Sequence, residues 1–184
     1  MGVLWRKQCP PTWPKWARNW ATTRGSLTRR LSGLGQGFEV QAVYQGAGPV
    51  AYTAAPPECT QPGWMRQRLV RLHVGGQVVV LAQTLLKTDG PVNDWHFWRG
   101  LGNRSLGSVL FSDPTVQRGC LYFARLPAHE PWVKALVGEQ FAGQPSAVGT
   151  QRIWYARCSR FTRGRGRTPL WVMEVFLPQL GNHL

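Results

Sequence analysis

Two charged side chains fall where the pattern of the chain calls for apolar ones, and both are of types that do chemistry. The stretch Leu170-Trp171-Val172-Met173-Glu174-Val175-Phe176-Leu177 has the β-branched and aromatic content of a strand and is closed by Pro178. Alternation along a strand puts Glu174 beside Leu170, Val172 and Phe176, with Trp171, Met173 and Val175 opposite. Both faces therefore look buried. An uncompensated buried charge costs about several kcal/mol, so Glu174 must be protonated, paired or aimed into a polar cavity. Three readings follow: a structural ion pair, an edge-strand glutamate facing water, or a carboxylate that binds a ligand or moves a proton.

The second residue is Arg68. In Arg66-Gln67-Arg68-Leu69-Val70-Arg71-Leu72-His73-Val74 one parity collects Arg68, Val70, Leu72 and Val74, while Gln67, Leu69, Arg71 and His73 take the other. An arginine on a core face wants a carboxylate, from the protein or from a ligand, and its planar fork suits bidentate pairing. The alternative is an arginine near the strand start that snorkels to solvent. A third feature is Leu101-Gly102-Asn103-Arg104-Ser105-Leu106-Gly107-Ser108-Val109-Leu110-Phe111, a glycine-rich loop leading into a helix with Asn103 or Ser105 as cap. Backbone N–H groups at such a helix start lack intrahelical partners and can face an anion. No GKS or GKT follows, so it is not a P-loop.

The elements that must position these residues are those of one ordinary domain, residues 1–184 of a 184-residue chain. Residues 1–24 form a segment rich in tryptophan and proline, where Trp13, Trp16 and Trp20 fall at helical spacing. A short helix from Pro14 is expected there, its rings covering an edge of the core. Gly25 to Leu31 is helix-capable and precedes a glycine-rich loop. Strands are expected at Phe38–Tyr44, at Arg66–Val74 and Gln77–Leu86 around the Gly75-Gly76 turn, at Cys120–Leu126, at Arg152–Thr162 and at Leu170–Leu177. An extended piece at Val50–Thr53 and helices at Asp94–Arg99, after Ser105 and at Trp132–Phe141 complete the reading. The predicted fold class is α+β, with about six antiparallel strands mainly in hairpin order and helices packed on the sheet.

Composition narrows the function classes. A net charge of +14 with 22 Lys and Arg invites an anionic partner, either a polyanion or a small dianion. The basic residues are scattered, and Arg163-Gly164-Arg165-Gly166-Arg167 lies between two strand patterns, where a hairpin loop is expected rather than an RNA-binding repeat. A basic nucleic-acid module would interleave its charges with exposed aromatics, whereas these tryptophans sit in apolar patterns. Cys9, Cys59, Cys120 and Cys158 show no CxxC pair and no histidine companions, so no metal site is expected. No apolar run reaches membrane-spanning length, and reduced thiols in a cytoplasmic protein are expected.

Taken together, Arg68-Leu69-Val70-Arg71-Leu72, the block Leu101 to Phe111, Arg157-Cys158-Ser159-Arg160 and Pro169 to Pro178 resemble the chorismate pyruvate-lyase family, from about Gly25 to Pro178. The family makes 4-hydroxybenzoate for ubiquinone biosynthesis. The resemblance implies flap segments over an enclosed site, no cofactor, chorismate as substrate, 4-hydroxybenzoate and pyruvate as products, and a monomer with no nucleic-acid partner. It also implies roles at four positions. Arg68 would hold the ring carboxylate, Glu174 would face the 4-hydroxyl, and the backbone amides of Leu27 and Leu106 would contribute to binding, Leu27 on a flap. Arg68 and Glu174 are thus expected as catalytic residues. The chain departs from the family pattern at Gln83, where an arginine often stands, and at Leu69, where an acidic residue follows the key arginine. Both could change the electrostatics of the site. The rival reading is a non-catalytic effector-binding domain on the same fold. Such regulators carry a DNA-binding domain in front, for which 24 residues are too few.

Overall fold

The computed structural model describes residues 3–50, 55–60, 62–87, 95–127, 129–138, 153–164 and 168–183. The elements follow in the order α1 (Lys15–Ala21), α2 (Leu27–Ser32), β1 (Phe38–Pro49), β2 (Trp64–Val74), β3 (Gln77–Lys87), a 3-10 turn at His96–Gly100, α3 (Leu106–Ser112), β4 (Val116–Pro127), α4 (Pro131–Val137), β5 (Ile153–Arg163), β6 (Leu170–Phe176) and a closing 3-10 turn at Pro178–His183. The six strands form one antiparallel sheet in the order β1-β2-β3-β6-β5-β4. Two three-stranded meanders, each built of neighbours in sequence, are joined where β3 pairs with β6. This is the expected α+β class. Because β6 lies between β3 and β5, Glu174 is not on an edge strand.

The two faces of the sheet are covered differently. On one face α4 presses Trp132, Val133 and Leu136 onto Met65, Leu69, Leu81, Leu85, Trp154, Ala156, Trp171, Met173 and Val175, giving a continuous apolar core. On this face Arg71 donates from Nε to the carbonyl of Leu136, 2.8 Å away, in the last turn of α4. A cation suits that end of a helix. The other face carries two separate covers. At one end Trp13, just before α1, and Ala17, Trp20, Leu27 and Leu31 of α1 and α2 lie on Leu72, Val74, Val80 and Phe176. At the other end Trp95, Trp98, Leu101, Leu106 and Leu110 lie on Leu86, Phe161 and Leu170. Between the covers the sheet presents Arg68, Thr84, Arg157, Ser159 and Glu174, set among Val70, Ala82 and Val172.

The elements depart from expectation in ways with local causes. β1 runs on to Pro49 instead of stopping at Tyr44, because a bulge between Ala42 and Tyr44 re-sets its register with β2. At the bulge the Ala42 N–H donates to Asn103 Oδ1 at 2.9 Å, so Asn103 braces β1 and Ser105 alone caps α3. The expected helix near Asp94 is a 3-10 turn, and α4 covers Pro131–Val137. Residues 51–53 of the expected extended piece, the part of the expected helix beyond residue 138, and residues 165–167 of the RGRGR tract lie outside the described residues. As predicted, α1 begins after Pro14, and Trp13 and Trp20 are buried. Trp20 also donates from Nε1 to the Leu180 carbonyl at 3.1 Å, tying the N-terminal helix to the C-terminal turn.

Candidate active site

Strand register brings the stranded charges together. Val70, Ala82, Glu174 and Arg157 form one row across β2, β3, β6 and β5, and Arg68, Thr84, Val172 and Ser159 form the next. All eight point to the face between the two helical covers, and all line one pocket. Arg68 and Glu174 are two strands apart, about 10 Å at the usual strand spacing, and one row offset. Leu27, Thr28, Ser105, Leu106 and Gly107 form the roof. The pocket holds about 560 Å³ of space free of protein atoms, part of which opens to solvent. Arg68, Glu174, Leu27 and Leu106, the four site residues expected from sequence, therefore share a single cavity.

Arg68 is 1% exposed, and its Nη2 donates to the carbonyls of Gly102 at 2.8 Å and Arg104 at 3.0 Å. Its buried Nε has no hydrogen-bond partner among the described residues. Leaving a buried donor unsatisfied costs about 1–3 kcal/mol, more when charged, so this group is set to receive an acceptor from outside the protein. Burial lowers the Arg68 pKa to about 10, and the side chain remains a cation at neutral pH. The strand-start arginine does not snorkel.

Glu174 is paired. Arg157, on the adjacent strand and itself 1% exposed, donates from Nε to Glu174 Oε2 at 2.5 Å. Arg157 Nη1 donates to the carbonyls of Thr23 at 2.8 Å and Ala21 at 3.2 Å, at the C-terminal end of α1. One guanidinium thus holds the carboxylate and fastens the segment leading to α2. Sequence reasoning did not assign Arg157 to the site. Alternation marks it as facing the same way as Ser159 and Phe161, but its position opposite Glu174 exists only through the β5–β6 register.

Arg118 was missed as well. It reaches into the pocket from β4, donates from Nε to Ser159 Oγ at 3.1 Å, and donates from Nη1 to the carbonyls of Arg24 at 2.9 Å and Gly25 at 3.4 Å. Burial, then repulsion from Arg157, lowers its pKa to about 10, partly offset by attraction to Glu174. The pocket is therefore lined by three guanidinium groups and one carboxylate. This is a setting for a small anion.

The roof is built from two short helices with the same start. Ser26 and Ser105 are the N-caps of α2 and α3, and each side chain accepts from the backbone N–H three residues on, at 3.2 Å and 3.3 Å. Leu27 and Leu106 are the first residues of those helices, whose backbone N–H groups have no partner within the helix. Ser105 Oγ donates to Thr28 Oγ1 at 2.8 Å and ties one helix start to the other. Close contact there explains Gly107: a Cβ on it would stand 2.6 Å from Thr28 Oγ1 and 3.2 Å from Ser26 Oγ.

The two departures noted in the sequence, Gln83 and Leu69, lie elsewhere. Both belong to the opposite parity; Leu69 packs into the α4-side core and Gln83 donates from Nε2 to Gln67 Oε1 at 3.1 Å. Neither lines the pocket, so neither alters its electrostatics by contact. Among the described residues no three His, Cys, Asp or Glu side chains are grouped to hold a metal ion, and no helix is long and apolar enough to cross a membrane.

Comparison with known proteins bears on the fold and the family. Among solved structures, the effector domain of PhnF from Mycobacterium smegmatis matches with a TM-score of 0.53 at 14% identity, covering 84% of this chain and 90% of that one. A GntR-family transcriptional regulator from Bacillus cereus matches with a TM-score of 0.50 at 11% identity, covering 77% and 92%. At such identities these likenesses concern the fold alone. A protein of Cupriavidus pinatubonensis named "Probable chorismate pyruvate-lyase" is 36% identical over 173 residues, 92% of this chain and 84% of that protein. Proteins of the same name from Ralstonia nicotianae (35% identical, 96% and 89% covered) and Pseudomonas aeruginosa (34%, 88% and 83%) match likewise. The family described as chorismate lyase matches residues 2–183, and the chain belongs to that family.

Proposed function

We propose that this protein is a chorismate pyruvate-lyase that converts chorismate to 4-hydroxybenzoate and pyruvate within the pocket between α2, α3 and the sheet. The observation that carries the reading is the joint burial of Arg68, with an unsatisfied Nε, and Glu174 in one cavity of a chain from this family. Chorismate carries a ring carboxylate, a 4-hydroxyl and, on the neighbouring C3, an enolpyruvyl ether. Breaking the C3–O bond leaves the electron pair on the enolpyruvate oxygen, loss of the C4 hydrogen as a proton makes the ring aromatic, and protonation of the enolpyruvate carbon gives pyruvate. Electrons balance without a redox partner. Arg68 and the Leu106 amide hold the ring carboxylate, the Leu27 amide adds to binding from the flap, and Glu174, kept in place by Arg157, receives the 4-hydroxyl. Action as a monomer is what the family resemblance implies.

The test is direct. Purified protein incubated with chorismate should release 4-hydroxybenzoate, followed by its absorbance, with a burst that slows as product accumulates in the covered pocket. Arg68→Ala should lose this turnover while keeping a native circular dichroism spectrum. A wild-type protein that binds chorismate without consuming it would instead favour the effector-binding reading.

A further inference from the structure

We propose that Arg118 binds the second carboxylate of the substrate, the one on the enolpyruvyl side chain, and so lets the site distinguish substrate from aromatic product. This rests on the lyase reading above and adds a residue to it. The argument begins with a count of charges. Of the three guanidinium groups lining the pocket, Arg157 is paired with Glu174, whereas Arg68 and Arg118 have no carboxylate partner among the described residues. Chorismate brings two carboxylates. One cation for each leaves no charge in the pocket unmatched.

Position assigns them. With the ring carboxylate at Arg68 on β2 and the 4-hydroxyl at Glu174 on β6, the C3 substituent, next to C4, lies at the Glu174 end of the pocket. Arg118 enters from β4, on that side of the sheet, and lies near enough to Arg157 and Glu174 to feel both charges. Arg68 is affected by burial alone. The Nε and Nη1 of Arg118 are engaged by Ser159 and by the loop before α2, while its Nη2 has no hydrogen-bond partner among the described residues. Arg118 also lines a neighbouring depression with Lys7 and Arg24, which contains no acidic side chain and suits the approach of an anion.

4-Hydroxybenzoate lacks the enolpyruvyl carboxylate, which separates a binding role from a merely structural one. Arg118→Gln should raise the KM for chorismate about ten- to a hundredfold, the loss expected for a charged hydrogen bond, and change the inhibition constant of 4-hydroxybenzoate less than about threefold. Arg118→Lys, which keeps the cation, should recover part of the chorismate KM and leave the product constant near wild type. Equal weakening of substrate and product in both variants would reduce Arg118 to a fastener of the α2 loop, and an unchanged chorismate KM would remove it from recognition; either overturns the proposal. If wild-type protein does not turn chorismate over, calorimetric titration of the two acids into wild type and the same variants reads the same ratio. The reaction and the carboxylate seat can then fail separately.

Discussion

At the scale of single residues, the site is defined by which charges are matched inside the protein and which are left for a ligand. Glu174 is matched by Arg157 at 2.5 Å, and both are nearly removed from solvent. Removing one partner of such a pair leaves the other buried and uncompensated, which typically costs about 3–5 kcal/mol. Arg157→Met should therefore lower folding stability by that order in urea denaturation, and adding Glu174→Gln should restore a large part of it. A stability loss in Arg157→Met that Glu174→Gln leaves unrepaired would show that the carbonyls of Ala21 and Thr23, not the carboxylate, are what Arg157 serves. Arg68 is the converse case, a guanidinium whose buried Nε is satisfied by nothing among the described residues. Hydrophobic alternation was enough to mark Arg68 and Glu174 as anomalous, because each breaks an apolar face of its own strand. Arg157 breaks no such pattern visibly, and Arg118 sits on a strand whose outward and inward residues are both mixed in character.

At the scale of elements, the roof depends on the contact between α2 and α3. Gly107 allows that contact, and any Cβ there would force Thr28 to turn away and give up its bond with Ser105. In Gly107→Ala the helix gains about 1 kcal/mol of intrinsic propensity, which offsets part of an overpacking cost of about 1–3 kcal/mol. The fold should survive with a small change in melting temperature, while the roof loosens. Stopped-flow displacement should then show 4-hydroxybenzoate leaving several-fold faster than from wild type. Unchanged release from this variant would mean that the roof does not govern product retention. The sequence marked Gly25 to Leu31 as helix-capable and offered Asn103 or Ser105 as the cap of the second helix; the structure makes Ser26 and Ser105 the caps. That the two starts meet over a shared pocket was not readable, for 77 residues separate the bonded pair Thr28 and Ser105.

At the scale of the whole molecule, one sheet serves two purposes, an apolar core under α4 and a pocket floor carrying buried charges between the other two covers. The family resemblance implies a monomer, so light scattering on a size-exclusion column should give the monomer mass, 20.7 kDa. A stable dimer would reopen whether a second copy covers the pocket. The high net charge of +14 fits a dianionic substrate as readily as it fits a polyanion, so composition alone did not decide between them. By itself the sequence determined roughly where the six strands run, their alternation, the helix start after Pro14 and the two residues whose charge conflicts with their surroundings, because these depend on neighbours within a few positions. Tertiary structure alone decided that Arg157 answers Glu174, that Arg118 enters the same cavity, and that Gln83 faces away from it. Those facts follow from the register of strands and the order β1-β2-β3-β6-β5-β4, which bring together residues far apart in the chain.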